Sequence, residues 1–243
     1  MPEVKTRDFF PASRVSILDP QLRLALSRVG SGFDSARRER IEEVSPEVWE
    51  EWREEARSIK VHTLDNLDYY LELLHNNVTK AGGHVHFAKD AAEANAIVAH
   101  IAEANQVRVV TKGKSMVSEE LALNDVLEDM GVEVYETDLG EYIIQLAKET
   151  PSHLVAPALH KSKEQVAQLL SDHLGVPYTD DIETMARIAR EALRDKFLSA
   201  DMGISGANFL VAETGTLVMN QRNATPNFIH NHHIFLTLGP LIY

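Results

Sequence analysis

Lys112-Gly113-Lys114-Ser115 places two cations, a glycine and a hydroxyl in four consecutive residues. Val107 to Thr111 just before it has the β-branched run of a short buried strand. Met116 to Met130 just after it carries Leu121, Leu123, Val126 and Leu127 on one helical face. In a parallel α/β sheet a loop between such elements sits at the carboxyl end of its strand, where ligands bind. Backbone N–H groups at the helix start (Lys114 to Met116), with Lys112 and Lys114 beside them, suit a small anion such as a carboxylate or phosphate. Lysines also serve simply to solvate a loop, and on this stretch alone both readings stand. A nucleotide P-loop is excluded, because it needs a glycine five places before Gly113 and Arg108 stands there.

The elements that would position this loop alternate along the chain. The pattern predicts strands at His84 to Ala88, Val107 to Thr111, Val132 to Glu136 and His153 to Ala156. Each is followed by a helix, at 91–105, 116–130, 139–148 and 163–174. The last is well bounded, with Ser162 and Gln165 as a capping box, Gly175 closing it and Pro177 barring continuation. Four strand–helix units in succession predict a mainly parallel sheet with helices on both faces. A further helix is expected from Ile182 to Ala200, then strands at 209–211 and 216–219, paired around Glu213-Thr214-Gly215 or in separate sheet positions.

Before residue 83 the chain reads as helical. Ser45-Pro46-Glu47 is a capped helix start, and Leu64, Leu67, Leu71, Leu74 and Val78 recur at spacings of three and four. Residues 1–44, with Arg37, Arg38 and Arg40, predict short surface helices or a partly ordered arm. The expected organisation is a helical region, 1–82, packing on an α/β domain, 83–243.

Three loops are expected at one sheet edge: 112–115, 136–141 and 156–160. Together they offer Lys112, Lys114, Glu136, Asp138, Glu141 and His160 to one cleft. His160 is a candidate proton-transfer group, while Asp138 also suits the cap of the next helix. Gly203 to Asn208 is glycine-spaced and is read as a loop closing over the cleft or as a structural turn. His84 and His86 share a face without a third ligand, and no metal site is assigned there or at His230, His232 and His233.

Composition narrows the classes. A chain of 243 residues buries a substantial core, and a net charge of −13 argues against nucleic acid as partner. The absence of cysteine removes thiolate catalysis, zinc–thiolate sites and cysteine-held iron–sulfur clusters from this chain. No apolar run is long enough to span a membrane, and the first ten residues lack a secretory signal's apolar core, so a cytoplasmic location is expected.

Several stretches together resemble the lactate-utilisation protein B family, whose shared unit is the LUD domain. They are Asn66 to Tyr70, Gly82 to Lys89, Lys112 to Glu120, Glu136 to Tyr142, Pro151 to Lys161 and Phe197 to Gly215. The resemblance implies a three-layer α/β/α fold similar to the sugar-phosphate isomerase and CoA-transferase group. It also implies a part in oxidising L-lactate to pyruvate, with other subunits of a cytoplasmic complex as partners. The catalytic candidates are Glu136, Asp138, His160 and Glu213. The ligand-binding candidates are Lys112, Gly113, Lys114, Ser115, Gly206, Asn208, Thr214 and Gly215. Four-iron four-sulfur clusters belong to a ferredoxin-like domain that follows in the family, and none is expected in this chain. Past Met219 the sequence departs from the family pattern, which reads as a truncated or diverged end. Ile234 to Thr237 is expected as the closing strand, with an exposed edge that favours self-association. Two other readings stay open: a stand-alone enzyme of this fold group acting on a phosphorylated sugar, CoA ester or folate, and a non-catalytic assembly subunit. The purified chain is expected to show no iron–sulfur absorption after anaerobic reconstitution and no lactate-dependent dye reduction by itself. Either signal would overturn the cofactor assignment.

Overall fold

In a computed structural model of the chain, residues 9–113, 115–153 and 156–219 are described, together with the backbone of 232–236 and 241–242. The helices are Phe9–Leu18 (α1), Pro20–Val44 (α2), Pro46–Asp65 (α3), Leu67–Lys80 (α4), Ala91–Ala104 (α5), Met116–Glu120 (α6), Leu123–Asp129 (α7), Leu139–Ala147 (α8), Lys163–Leu174 (α9) and Ile182–Ser199 (α10). The strands are Val109–Lys112 (β1), Glu133–Glu136 (β2), Met202–Gly206 (β3), Phe209–Val211 (β4), Thr216–Val218 (β5), His232–Leu236 (β6) and Leu241–Ile242 (β7). They divide between two units, one of residues 86–207, 219 and 232–236, the other of 9–85, 208–218 and 241–242. Among the described residues no helix is long and apolar enough to cross a membrane.

The first unit is the α/β fold that the alternation predicts. Its four strands are all parallel, in the order β2-β1-β3-β6. Val110, Val134, Met202 and Ile204 of the sheet close against Val98 and Ala102 of α5 and Leu123 and Leu127 of α7 in one apolar core. Tyr142, Ala189 and Leu193 join α8 to α10, while Ala167, Leu170 and Met185 join α9 to α10. Because β2 and β3 flank β1 on opposite sides, the chain leaves β1 in one direction and β3 in the other. Such a reversal opens a crevice at the carboxyl ends of the two strands. Lys112 and Gly206 end those strands.

Four expectations change here. His84 to Ala88 forms no strand; its apolar residues find no core, and Phe87 is 58% exposed. Nor are His153 and Ala156 in a strand (154–155 lie outside the described residues). The Ala156 N–H donates to His153 Nδ1 at 3.2 Å, a local turn that competes with a ladder. The third strand is instead Met202–Gly206, read from sequence as a loop, with its first four residues buried between β1 and β6. Its glycines and serine hide it, because small residues in a fully enclosed strand carry no periodic apolar signal. The predicted helix 116–130 is likewise two helices, parted where Ala122 turns left-handed at φ 51°.

The second unit contains α1 to α4 and a sheet of order β5-β4-β7. Residues 9–44 form one short and one 25-residue helix, and no residue of either is buried. Asp19 caps α2 with Pro20 at its first position, and Ser45 caps α3 with Pro46 likewise. The helical run before Gly82 breaks at Asn66, between α3 and α4. The β4–β5 strands pair antiparallel as a hairpin around Glu213-Thr214-Gly215. Asn77 Nδ2 of α4 donates to the carbonyls of Ala212 and Glu213 at 2.9 and 2.8 Å. Gly215 has φ +71°, and a Cβ there would lie 2.8 Å from the Val78 nitrogen. Gly215→Ala therefore combines a disfavoured backbone with a clash against main chain. It should cost about 1–3 kcal/mol in urea unfolding; a cost below about 0.5 kcal/mol would show that the turn relaxes freely.

Candidate functional site

Parallel register decides which side chains meet at the carboxyl edge of the sheet. Lys112 of β1 stands opposite Glu136 of β2 on one side and Ile204 of β3 on the other. Residues at matched positions share a face, and side chains two apart lie on the same face. Lys112 and Glu136 thus continue the rows begun by Val110 and Val134, and the polar pair caps the apolar core. Lys112 Nζ lies 2.8 Å from Glu136 Oε1, with side-chain exposures of 1% and 6%. Asn124 Nδ2, from α7, donates to the same oxygen at 2.8 Å. A second carboxylate, Glu119 of α6, meets Lys112 Nζ at 2.5 Å and is 36% exposed.

Among the described residues the charges do not balance, since one ammonium faces two carboxylates. Burial lifts the Glu136 carboxyl above its ordinary 4.5; Lys112 and Asn124 oppose that rise and Glu119 adds to it. A carboxylate whose pKa is raised is a stronger base than an exposed one. The backbone around the pair is fixed. The Gly113 N–H donates to Ile204 O at 2.8 Å, and Thr137 Oγ1 donates to Lys112 O at 2.8 Å. On the outer edge of β2, Gln145 of α8 accepts from the Glu136 N–H at 3.0 Å and donates to Val134 O at 2.7 Å.

The remaining sequence candidates distribute as follows. Ser115 caps α6, accepting from the Ser118 N–H at 3.2 Å, and Lys114 lies outside the described residues. Asp138 caps α8 through the Gly140 N–H at 3.1 Å. The 156–160 loop reaches the same helix start, because a Cβ on Gly140 would lie 3.0 Å from Pro157 Cδ. His160 belongs to a second polar group, with Nε2 at 2.7 Å from Glu149 Oε2 and Nδ1 at 2.8 Å from Ser152 Oγ. Gly206 ends β3, while Asn208, Glu213, Thr214 and Gly215 belong to the helical unit. Of the three histidines near the C-terminus, His230 lies outside the described residues, and only the backbone of His232 and His233 is described.

Residues 71–237 match the LUD domain. The chain belongs to the LUD domain family. It is similar to proteins named Lactate utilization protein B. One from Lysinibacillus sphaericus is 48% identical over 206 residues, 84% of this chain and 43% of that protein. Another, from Oceanobacillus iheyensis, is 46% identical over 205 residues, 84% of this chain and 42% of its own length. A third, from Bacillus thuringiensis, is 49% identical over 178 residues, 72% of this chain and 38% of its own length. The chain thus spans less than half the length of these curated relatives. No solved structure matches it significantly.

The LUD domain also uses residues that the sequence reading passed over. Sequence alone assigns no role to Glu119, Asn124 or Gln145. A signal was available for Asn124, which lies between the buried Leu123 and Leu127 on a core-facing turn. A test follows from the burial of the pair. Lys112→Met strands Glu136 as an uncompensated buried charge, which should cost about 3–5 kcal/mol at neutral pH. A folded pKa raised above 4.5 means the native state binds more protons than the unfolded one between those two values. Stability linked to Glu136 is therefore full below its unfolded value and declines as pH rises through its folded one. The Lys112→Met deficit should accordingly shrink on acidification, and Lys112→Met with Glu136→Gln should recover most of it. Urea melts across pH check this; a deficit constant with pH would mean Lys112 neutralises some other group.

Proposed function

We propose that this LUD domain binds the small carboxylate substrate of a lactate-utilisation protein, and that the protein works within a complex oxidising L-lactate to pyruvate. The single observation that carries this reading is the buried Lys112–Glu136 pair at the carboxyl edge of the sheet. Lys112 supplies the cation for the substrate carboxylate. Glu136, with its raised pKa, supplies a base for the hydroxyl proton. Asn124 adds to this, because its Oδ1 is buried with no hydrogen-bond partner among the described residues. A hydroxyl brought to Glu136 would find that acceptor beside it. The names of the relatives support lactate as the 2-hydroxy acid.

Converting a 2-hydroxy acid to a 2-oxo acid releases two protons and two electrons, and this chain's residues account for the binding and one proton. Iron–sulfur clusters, which the family resemblance implies for the electrons, do not fit this chain, since it has no cysteine to ligate them. A phosphorylated-sugar ligand is disfavoured by charge. A dianion beside two carboxylates and one ammonium would add to an already negative site.

Calorimetric titration of the chain with L-lactate tests the reading. Glu136→Gln, which keeps the shape of the site, is expected to weaken binding about tenfold or more, as for loss of a charge-assisted hydrogen bond. The circular dichroism of the variant should match that of the native chain. Tighter binding of a sugar phosphate than of lactate would replace this reading with the phosphorylated-substrate one.

A further inference from the structure

The two carboxylates on Lys112 are not equivalent. Glu136 is built into strand β2, faces Lys112 in register, is 6% exposed and is held by Asn124. Glu119 sits on a five-residue helix, is 36% exposed, and has Lys112 as its side chain's only hydrogen-bond or ion-pair partner among the described residues. Lys112, at 1% exposure, cannot turn away to meet a ligand elsewhere. A ligand anion that reaches Nζ must therefore arrive from the side that Glu119 covers.

We propose that Glu119 holds the position at Lys112 Nζ that the ligand's carboxylate takes, so that binding exchanges one carboxylate for another. This rests on the carboxylate-binding reading above and names the discriminating group. The exchange leaves the charge around Lys112 unchanged: one ammonium, Glu136 and one further single negative charge. A phosphate dianion would add a second charge beside Glu136, which is already held above its usual range by burial and by Glu119. The site therefore selects small monocarboxylates, and the swing of Glu119 into solvent accompanies binding. Helix α6 is suited to that movement. It is bounded by the Ser115 cap on one side and by the left-handed Ala122 on the other, so it can shift without disturbing a long hydrogen-bonded helix.

The test compares Glu119→Ala, Glu119→Gln and Glu119→Asp with the native chain, titrated with acetate, L-lactate and inorganic phosphate. Removing the internal competitor should tighten acetate and L-lactate binding about tenfold in the Ala and Gln variants. Aspartate, one methylene short of Lys112, should give a smaller gain in the same direction. Phosphate should remain the weakest ligand throughout. Thermal melts establish that the variants fold, and the exposure of Glu119 makes Glu119→Gln the safe one. Unchanged or weaker lactate binding in both the Ala and Gln variants overturns the exchange. If the native chain still binds lactate and Glu136→Gln weakens it, the functional reading survives that result. If neither the native chain nor any variant binds lactate or acetate, both fail together.

Discussion

The buried ammonium of Lys112 constrains the α/β unit more than any other single group. A lysine 1% exposed is tolerated only where its charge is met by hydrogen-bonded anions. Meeting it requires β1 and β2 to be parallel and in one register, so that Glu136 arrives at the same height and on the same face. It also requires the chain after β1 to return over that edge, bringing Glu119 from α6 and Asn124 from α7. Leu123 and Leu127 anchor α7 in the core, so the apolar packing and the polar cap are positioned by the same helix. The left-handed break at Ala122 lets two short helices approach Lys112 where one long helix would present a single fixed face.

Holding Glu136 in place is a separate problem, because β2 is an edge strand of its sheet. Its inward amides bond to β1, through Glu133 N–H to Arg108 O and Thr137 N–H to Lys112 O. The outward groups of Val134 and Glu136 would otherwise face no strand. The Gln145 side-chain amide accepts from one and donates to the other, standing in for a missing neighbour. A similar device works at the start of β1, where Asp201 Oδ2 accepts from the Arg108 and Val109 N–H groups at 2.9 and 3.0 Å. The Gln145 contacts steady the carboxyl end of β2 and the Asp201 contacts the amino end of β1, without lengthening either strand.

What the sequence discloses follows the strength of the physical signal. Helices α5, α8, α9 and α10 are legible to within a residue, because caps at Asp138 and Ser162 and the Gly175 stop mark real backbone needs. Strands β1 and β2 are legible from β-branched runs, and the parallel class from their alternation with helices. Strand β3 is not, since Gly203, Ser205 and Gly206 imitate a loop while lying between two neighbours. Lys112 reads in sequence as a basic loop residue, and nothing there marks its burial. Only the register with Glu136 and the returning α6 reveal that the ammonium faces inward. For Gly215 the sequence suggests a ligand contact, and the structure adds a close approach to α4 that only a residue without a side chain allows.

The second polar group bears on the same edge. The hydrogen bond from Lys161, and then that from His160, holds the Glu149 carboxyl below its ordinary value, so Glu149 is an acceptor. His160 Nε2 must then carry the proton between them, which leaves Nδ1 facing the Ser152 hydroxyl. Ser152 is in turn bound to the Pro157 carbonyl through its N–H at 3.0 Å and its hydroxyl at 3.1 Å. The network therefore closes the 152–161 loop just beyond the C-terminal end of α8, while Pro157 abuts Gly140 at its start. The helix pinned in this way is the one whose Gln145 steadies β2. Whatever proton His160 carries, its bonds also stiffen the helix through which Gln145 supports Glu136.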